Sequence, residues 1–352
     1  MQLTRLVSIL IPNFNKAPYL QECLESVLAQ TYKNWECIIV DDSSTDDSWE
    51  IINDFLALDS RFQIFKRPGH LPKGGNVCRN FALEKSKGDF IFFLDSDDVL
   101  ALYCLSQRME HVYKNLNLDF WAFPTALFEK KVSDAQFLWN IDELGESDLS
   151  RFLRMDALWQ TSGAIYKKEF LVALAGLTPS RKFWQDYELH LKAIIRTNSY
   201  EKFFNLPPDV YIRNGDPSSL SRSTPFAGDL NILIARIKFL EEIEIFTESL
   251  GKKFSCEEWH SFVSFKYYLI LQLWIRHGKY KLFKIRWKDL CYKYKFPFSW
   301  ILFGYFEAFF LKAKNRLSIK ETANVISLRI APNHYLNRNI LQRSQIGVHL
   351  IN

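Results

Sequence analysis

The chain has 352 residues, 48% hydrophobic and 24% charged, which excludes a disordered or low-complexity protein and leaves room for one large domain with an appendage or for two domains. Its net charge of +5 is uneven: residues 252–352 hold 18 Lys/Arg against 5 Asp/Glu, a balance of +13, and the remainder stands at −8, so the two regions are expected to meet different partners. No apolar run reaches the roughly 18 residues of a membrane span, residues 1–11 do not read as a secretory leader, and the six cysteines show no CxxC or zinc spacing, which fits reduced core thiols in a cytoplasmic protein.

Residues 6–11 read as a buried strand that stops at the turn Pro12-Asn13-Phe14-Asn15. Residues 17–30 follow as a helix with Leu20, Leu24, Val27 and Leu28 on one face. Residues 35–40 form a second strand ending in Asp41-Asp42-Ser43-Ser44-Thr45-Asp46, followed by a helix over 47–58. A third strand spans 62–66, and a basic loop with Pro68, Gly69, Pro72, Gly74 and Gly75 leads into a helix over 76–85. Residues 90–94, five apolar side chains in a row, have the pattern of a parallel strand covered on both faces. The alternation is that of a doubly wound, Rossmann-like α/β sheet.

Asp95, Asp97 and Asp98 arrive where that last strand runs out. Like charges this close repel, and burying them unpaired costs several kcal/mol, on the order of a lost ion pair. A divalent cation removes the penalty, and hard oxygen ligands in a short cluster suit Mg²⁺ or Mn²⁺ shared with substrate phosphates. The alternative is a solvated acidic turn with Asp98 as the N-cap of a following helix. Open α/β sheets bind ligands at the carboxyl ends of their strands, so Asp42, Asp97, residues 12–15 and the basic loop are expected to face one crevice. A nucleoside diphosphate fits it: Asp42 can accept from base or ribose, while Lys73, Arg79 and the amides around Gly74-Gly75 meet phosphate.

Pro12-Asn13-Phe14-Asn15, Asp41-Asp42-Ser43-Ser44-Thr45-Asp46, Gly74-Gly75-Asn76-Val77-Cys78-Arg79-Asn80 and Asp95-Ser96-Asp97-Asp98 occur in this order. At these intervals they resemble the nucleotide-sugar domain of the family 2 glycosyltransferases. The resemblance covers residues 5–225. It implies a GT-A type doubly wound mixed sheet over 1–225 with a helical C-terminal extension over 226–352. It further implies that Asp42 binds the nucleotide base, usually uracil, and that Pro12 and Asn15 pack against the nucleoside. Asp95 and Asp97 match the DxD pair, with Asp97 holding the metal on the diphosphate. Ser96 and Asp98 join the substrate contacts, Asp98 at the sugar, and Arg79 and Asn80 lie near ribose and donor sugar.

Further along, residues 119–123 and 161–166 read as strands, 129–150 as a polar loop and 168–175 as a helix. At Gln185-Asp186 the family usually reads Glu-Asp, with the aspartate as catalytic base; here Gln185 replaces the glutamate and Asp186 is kept. An inverting transfer needs one carboxylate to take the proton of the acceptor hydroxyl, and Asp186 fits that role. The alternatives are an N-cap for a helix over 187–196, or Glu188 as the base. Residues 207–213 read as a strand. Relatives carry a His near Asn214; its absence here leaves the third metal ligand open. Arg213, Ser219 and Arg222 are expected either to close over the diphosphate or to form a loop without catalytic part.

After Phe226 the pattern is helical, over 229–250, 257–277, 278–294 and 299–314. Lys279, Lys281, Lys284, Arg286, Lys288, Lys293 and Lys295 interleave with Tyr280, Phe283, Trp287, Tyr292 and Tyr294. An ordinary bundle with a basic face, a nucleic-acid surface, a lid or homodimer contact, and an anionic membrane surface all compete. The membrane is favoured over nucleic acid, because Lys/Arg among aromatics are interfacial residues and the family's acceptors are often lipid-linked. The expected function is inverting, metal-dependent (Mn²⁺ or Mg²⁺) transfer of a sugar from a UDP-sugar to a glycan or lipid-linked acceptor in polysaccharide biosynthesis. The expected location is the cytoplasm or the inner face of the membrane. A catalytically degenerate binding module and an aspartyl-nucleophile phosphatase built on Leu94-Asp95-Ser96-Asp97 are the competitors. No G-x-G-x-x-G follows the first strand, which argues against a dehydrogenase.

Overall fold

The computed structural model describes residues 4–135, 137–140, 142, 145–181, 184–214 and 229–317. Strands and helices alternate at first: β1 (Val7–Asn13), α1 (Ala17–Leu28), β2 (Trp35–Asp41), α2 (Ser48–Leu58), β3 (Phe62–Lys66), α3 (Gly75–Lys85) and β4 (Phe90–Phe93). There follow β5 (Val99–Leu100), α4 (Cys104–Lys114), β6 (Phe120–Ala122), β7 (Thr125–Phe128), β8 (Phe137–Leu138), α5 (Asp148–Leu153), β9 (Ala164–Lys167), α6 (Lys168–Ala173), α7 (Gln185–Arg196), β10 (Tyr200–Lys202) and β11 (Val210–Arg213).

The main sheet has seven strands in the order β10-β6-β9-β4-β1-β2-β3. β1 runs parallel to β2 and to β4, and β2 parallel to β3, so the first half is doubly wound. β9 is antiparallel to both β4 and β6 and makes the sheet mixed. β2 and β4 are buried along their whole length, which is why they read as unbroken apolar runs. The chain winds one way from β1 to β3 and returns to the other side of β1 with β4, so the switch point lies between β1 and β4. A second sheet has the order β5-β11-β7-β8, with β11 antiparallel to β5 and parallel to β7.

Several expected boundaries shift for local reasons. β1 runs through Pro12 instead of stopping before it. Leu10 accepts from Leu94 and Asn13 from Asp42, so strand alternation turns the missing Pro12 donor to the β4 side, beyond the last β1–β4 pair Leu10↔Phe93. A proline is tolerated where no ladder partner waits. No helix begins at Asp98; β5 follows directly, and the next helix starts at Cys104. The strand expected at 161 starts only at Ala164, because Thr161–Gly163 is a single 3-10 turn.

Arg108 and Asp209 form a fully buried bidentate pair at 2.8 and 2.6 Å, with Arg108 against the rings of Phe92 and Phe123. The pair fixes the start of β11 to α4. Five of the six cysteines are buried thiols and none is bridged.

The chain forms two compact units, the first holding both sheets and the second the later helices together with residues 146–156. The second unit contains α8 (Leu230–Ser249), α9 (Cys256–Ile275), α10 (Tyr280–Lys293) and α11 (Phe298–Leu317). Ser255 and Glu258 form a capping box at the start of α9. Glu244 of α8 is buried and receives Lys266 at 3.2 Å, Lys293 at 2.9 Å and Tyr294 at 2.5 Å. Gly304 of α11 lies so close to Trp287 that a Cβ there would sit 2.3 Å from the indole.

Candidate active site

The first wall of the site is built by the paired ends of β1 and β2, where Asn13 stands opposite Asp41. Asn13 donates to Asp41 at 2.9 Å. Ser44 donates to Asp41 through its backbone amide at 2.9 Å and its hydroxyl at 2.5 Å. Asn15, at φ 51°, accepts from the Thr45 amide at 2.7 Å. Two turns that are far apart in sequence are thereby zipped into one rim. Phe14, 48% exposed on that rim, has Lys73 over its ring at 5.6 Å, an apolar ring with a cation on one face.

Asp42 is nearly buried and paired with Arg67, and it also accepts the Gly74 amide at 2.8 Å. Arg67 donates onward to the carbonyls of Pro68 and Leu71. The sequence reading missed Arg67, which ties the basic loop to the expected base-binding aspartate; its position next to the Pro/Gly loop was the available signal.

The second wall is the loop after β4. Asp95 pairs with Arg79 of α3, and Arg79 donates to Gln185 Oε1 at 3.2 Å. One guanidinium thus spans the first aspartate of the DxD motif and the residue preceding Asp186, while its buried Nε has no protein partner. Asp97 accepts from Lys16 at 2.7 Å. Burial pushes the Asp97 carboxyl above its usual range, Lys16 pulls it back, and neighbouring Asp95 pushes it up again. Such a carboxylate gains from a further cation. Among the described residues no group of three or more His, Cys, Asp or Glu side chains is arranged to hold a metal. The residues fit a Mg²⁺ or Mn²⁺ held through Asp97 with substrate oxygens and water completing its shell.

Three expected ligand contacts are turned inward. Both ends of the Asn80 amide are spent on the backbone of Leu177, at 2.7 and 2.9 Å, and any side chain at Gly176 would collide with it. Asn80 therefore shapes the segment before α7. Ser96 is buried between the aspartates. Asp98 is buried too, accepting the Arg213 amide at 3.1 Å and the Ser162 hydroxyl at 3.5 Å. Burial, reinforced by Asp97 and Asp95, holds its carboxyl well above the usual range. Arg213 does not reach toward the crevice as an open phosphate clamp. It bonds the Asp97 carbonyl at 3.1 Å, pairs with Glu22 and covers Tyr19 and Phe128. Ser219 and Arg222 lie outside the described residues.

Asp186 is the second residue of α7, not its cap; the cap is Trp184, in the left-handed region, without a side-chain cap bond. A carboxylate in the first turn is stabilised in its charged form by the helix dipole. One turn on, buried His190 bonds the Tyr166 hydroxyl at 2.6 Å. Desolvation holds the His190 imidazole down at about 4, against the pull of Asp186, so a neutral ring sits behind Asp186. Glu188, the alternative base, is engaged by Arg181 at 2.9 Å, Lys192 at 2.6 Å and Thr178 at 2.8 Å. Burial alone would raise its pKa, but Arg181 and Lys192 outweigh it and hold the carboxyl below its usual range.

Residues 8–159 match the family model described as Glycosyl transferase family 2. In sequence the chain is similar to an uncharacterized glycosyltransferase of Haemophilus influenzae, 42% identical over 110 residues, 31% of this chain and 43% of the relative. It is also similar to Escherichia coli WfaP, named as a UDP-Glc:alpha-D-GlcNAc-diphosphoundecaprenol beta-1,3-glucosyltransferase, 50% identical over 125 residues, 36% of this chain and 47% of WfaP. The matched stretch thus spans less than half of each curated relative. In fold it is similar to Staphylococcus aureus TarS 1–349 in complex with UDP-GlcNAc, with a TM-score of 0.56 at 15% identity over 83% of this chain and 92% of that one. The longer TarS structure gives 0.55 at 16% identity, over 92% of this chain and 50% of that one. Residues 8–159 are thus similar to the family 2 glycosyltransferases, and the chain shares the mixed α/β fold of TarS.

Proposed function

We propose that this protein transfers a hexose from a UDP-sugar to a hydroxyl of a diphosphate-lipid-linked glycan, with inversion, in cell-surface polysaccharide synthesis. The observation that carries the reading is the Arg79 bridge, which joins the DxD loop to the helix that presents Asp186. That bridge supports a donor site and a catalytic base lying side by side. The names of WfaP and of a second E. coli relative, WfgD, both UDP-Glc:alpha-D-GlcNAc-diphosphoundecaprenol beta-1,3-glucosyltransferases, support a UDP donor and a lipid-diphosphate acceptor.

In this reading the base stacks on Phe14 and bonds Asp42, Pro12 and Asn15 shape the nucleoside rim, and Lys73 and Arg79 face the diphosphate. Asp95 orients Arg79, and Asp97 would hold Mn²⁺ or Mg²⁺, whose charge would offset that of the diphosphate. Asp186 takes the acceptor O–H proton as that oxygen bonds the anomeric carbon. The bond from that carbon to the diphosphate oxygen breaks, and its electron pair leaves with UDP. Attack opposite the leaving group inverts the anomeric centre. The acceptor is taken up at the lipid–water interface, with the protein peripheral on the cytoplasmic face. No helix among the described residues is long and apolar enough to cross a membrane.

The test combines UDP-glucose, Mn²⁺ and a polyprenyl-diphosphate-linked GlcNAc acceptor with wild type and Asp186→Asn. Wild type should release UDP and extend the acceptor; Asp186→Asn should lose roughly 10²-fold or more in turnover with donor binding little changed. Tight UDP binding without transfer to any acceptor would favour the binding-module alternative.

A further inference from the structure

Helix α11 is apolar on two sides: Trp300 and Tyr305 pack on the rings of Phe296 and Phe283 in its own unit, and a second apolar stripe faces outward. At 100° per residue, Phe298, Leu302, Phe303, Phe306, Phe309 and Phe310 fall within one arc of about 140°, and all six are exposed, from 38% to 73%. The opposite side buries Gly304, Glu307 and Ala308, with Gly304 against Trp287 and Glu307 accepting from Tyr267 at 2.9 Å. A helix serving only its own unit needs one apolar stripe; here, although Phe309 also touches the rings of Trp274 and Tyr280, the second stripe stays exposed. The stripe runs along a helix of about 30 Å. Contiguous apolar surface of this kind marks an interaction face.

α10 supplies the matching charge. Lys281, Lys284 and Lys288 are exposed together with Ile285 and Tyr292, and these five lie within about 100° of one another around the helix. None of the three lysines is in an ion pair among the described residues, whereas Arg286 and Lys293, off that arc, are paired with Glu241 and Glu244. Residues 252–352 carry a balance of +13. A second copy would bring lysines against lysines; an anionic partner with an apolar interior meets both features. A bilayer leaflet rich in anionic lipid is such a partner, since phenylalanines enter the acyl boundary while lysines stay among head groups.

We propose that the phenylalanine stripe of α11 and the lysine face of α10 form a docking surface for an anionic lipid bilayer. This deepens the peripheral placement proposed above by naming its residues, and it needs neither donor nor acceptor. The test sediments the full-length protein with phosphatidylcholine vesicles and with vesicles containing phosphatidylglycerol, at low and high salt. Wild type should bind the anionic vesicles at low salt, bind neutral ones weakly and be released by salt. The triple variant Leu302→Ser/Phe306→Ser/Phe310→Ser should lose about tenfold or more in vesicle affinity. Lys281→Glu/Lys284→Glu/Lys288→Glu should abolish the preference for anionic lipid. Calorimetric UDP binding, unchanged in both variants, reports that the fold is intact. If wild type binds neither vesicle, both the surface and the peripheral placement fall. If wild type and variants bind vesicles alike, this surface falls while peripheral placement stands. If the serine variant converts a dimer to a monomer with vesicle binding unchanged, the face is a contact between copies and the proposal is overturned.

Discussion

Lys16 stands where an incoming cation would want to be. Its ammonium lies 2.7 Å from Asp97, with both side chains largely shielded, and it offsets part of the repulsion that Asp95 adds. A divalent ion at Asp97 must displace or share that contact. Lys16→Ala should therefore raise nucleotide-free Mn²⁺ affinity by about fivefold, the equivalent of ~1 kcal/mol for a partly exposed ion pair, measured by electron paramagnetic resonance titration. Unchanged affinity would mean that Lys16 and the metal use different faces of the carboxylate. The sequence singled out Asp42, Asp95, Asp97 and Asp186 as candidates, because acids at strand and helix ends stand out against apolar runs. It could not show that Asn80 and Asp98 turn inward. That depends on partners about a hundred residues away, Leu177 and Arg213, and a residue type carries no information about which of two nearby directions its side chain takes. Arg67 and Lys16 were passed over for the same reason: an isolated cation in a loop acquires meaning only once the fold supplies its carboxylate.

Element boundaries followed the same logic. The parallel strands were readable because burial on both faces demands uninterrupted apolar sequence, whereas β9 was misread at its start because Thr161–Gly163, all buried, curls into a 3-10 turn. Two close contacts determine how elements seat. β11 depends on the buried Arg108–Asp209 pair, and removing one partner leaves an uncompensated buried charge. Asp209→Ala should cost about 3–5 kcal/mol, read as a lowered denaturant midpoint with an unchanged slope. In the helical unit, α11 packs through Gly304, where a Cβ would fall 2.3 Å from Trp287. Gly304→Ala should destabilise that unit by about 1–3 kcal/mol by overpacking, despite alanine's better helix propensity. A stability gain on calorimetry would mean that Trp287 moves aside at little cost.

The two compact units carry buried titratable groups whose pKa shifts run in opposite directions, so their stabilities should respond oppositely to pH. In the sheet unit, desolvation lowers His190 from 6.5 to about 4. The unfolded chain then binds a proton more readily than the folded one, and stability falls as pH drops from 6.5 through 4. In the helical unit, desolvation raises Glu307 from 4.5 to about 7, with the Tyr267 hydroxyl only partly compensating, and Glu307 Oε1 is buried without a partner. Folding there favours the protonated acid: its contribution is fully present below 4.5 and is lost as pH rises through 7. Each shift corresponds to about 3 kcal/mol at its limit. Scanning calorimetry of the full chain should show the helical transition moving down, relative to the sheet transition, between pH 5 and pH 8. Glu307→Gln keeps the shape and the hydrogen bond to Tyr267 while removing the ionisation, so it should flatten the pH dependence of the helical transition and leave that of the sheet unit in place. If Glu307→Gln leaves the pH slope of the helical transition unchanged, another group governs it. The prediction also reaches function: if α11 docks as proposed, the loss of the buried proton near neutral pH loosens the very helix that carries the phenylalanine stripe, and vesicle binding by wild type should weaken from pH 6 to pH 8 while Glu307→Gln binds evenly across that range.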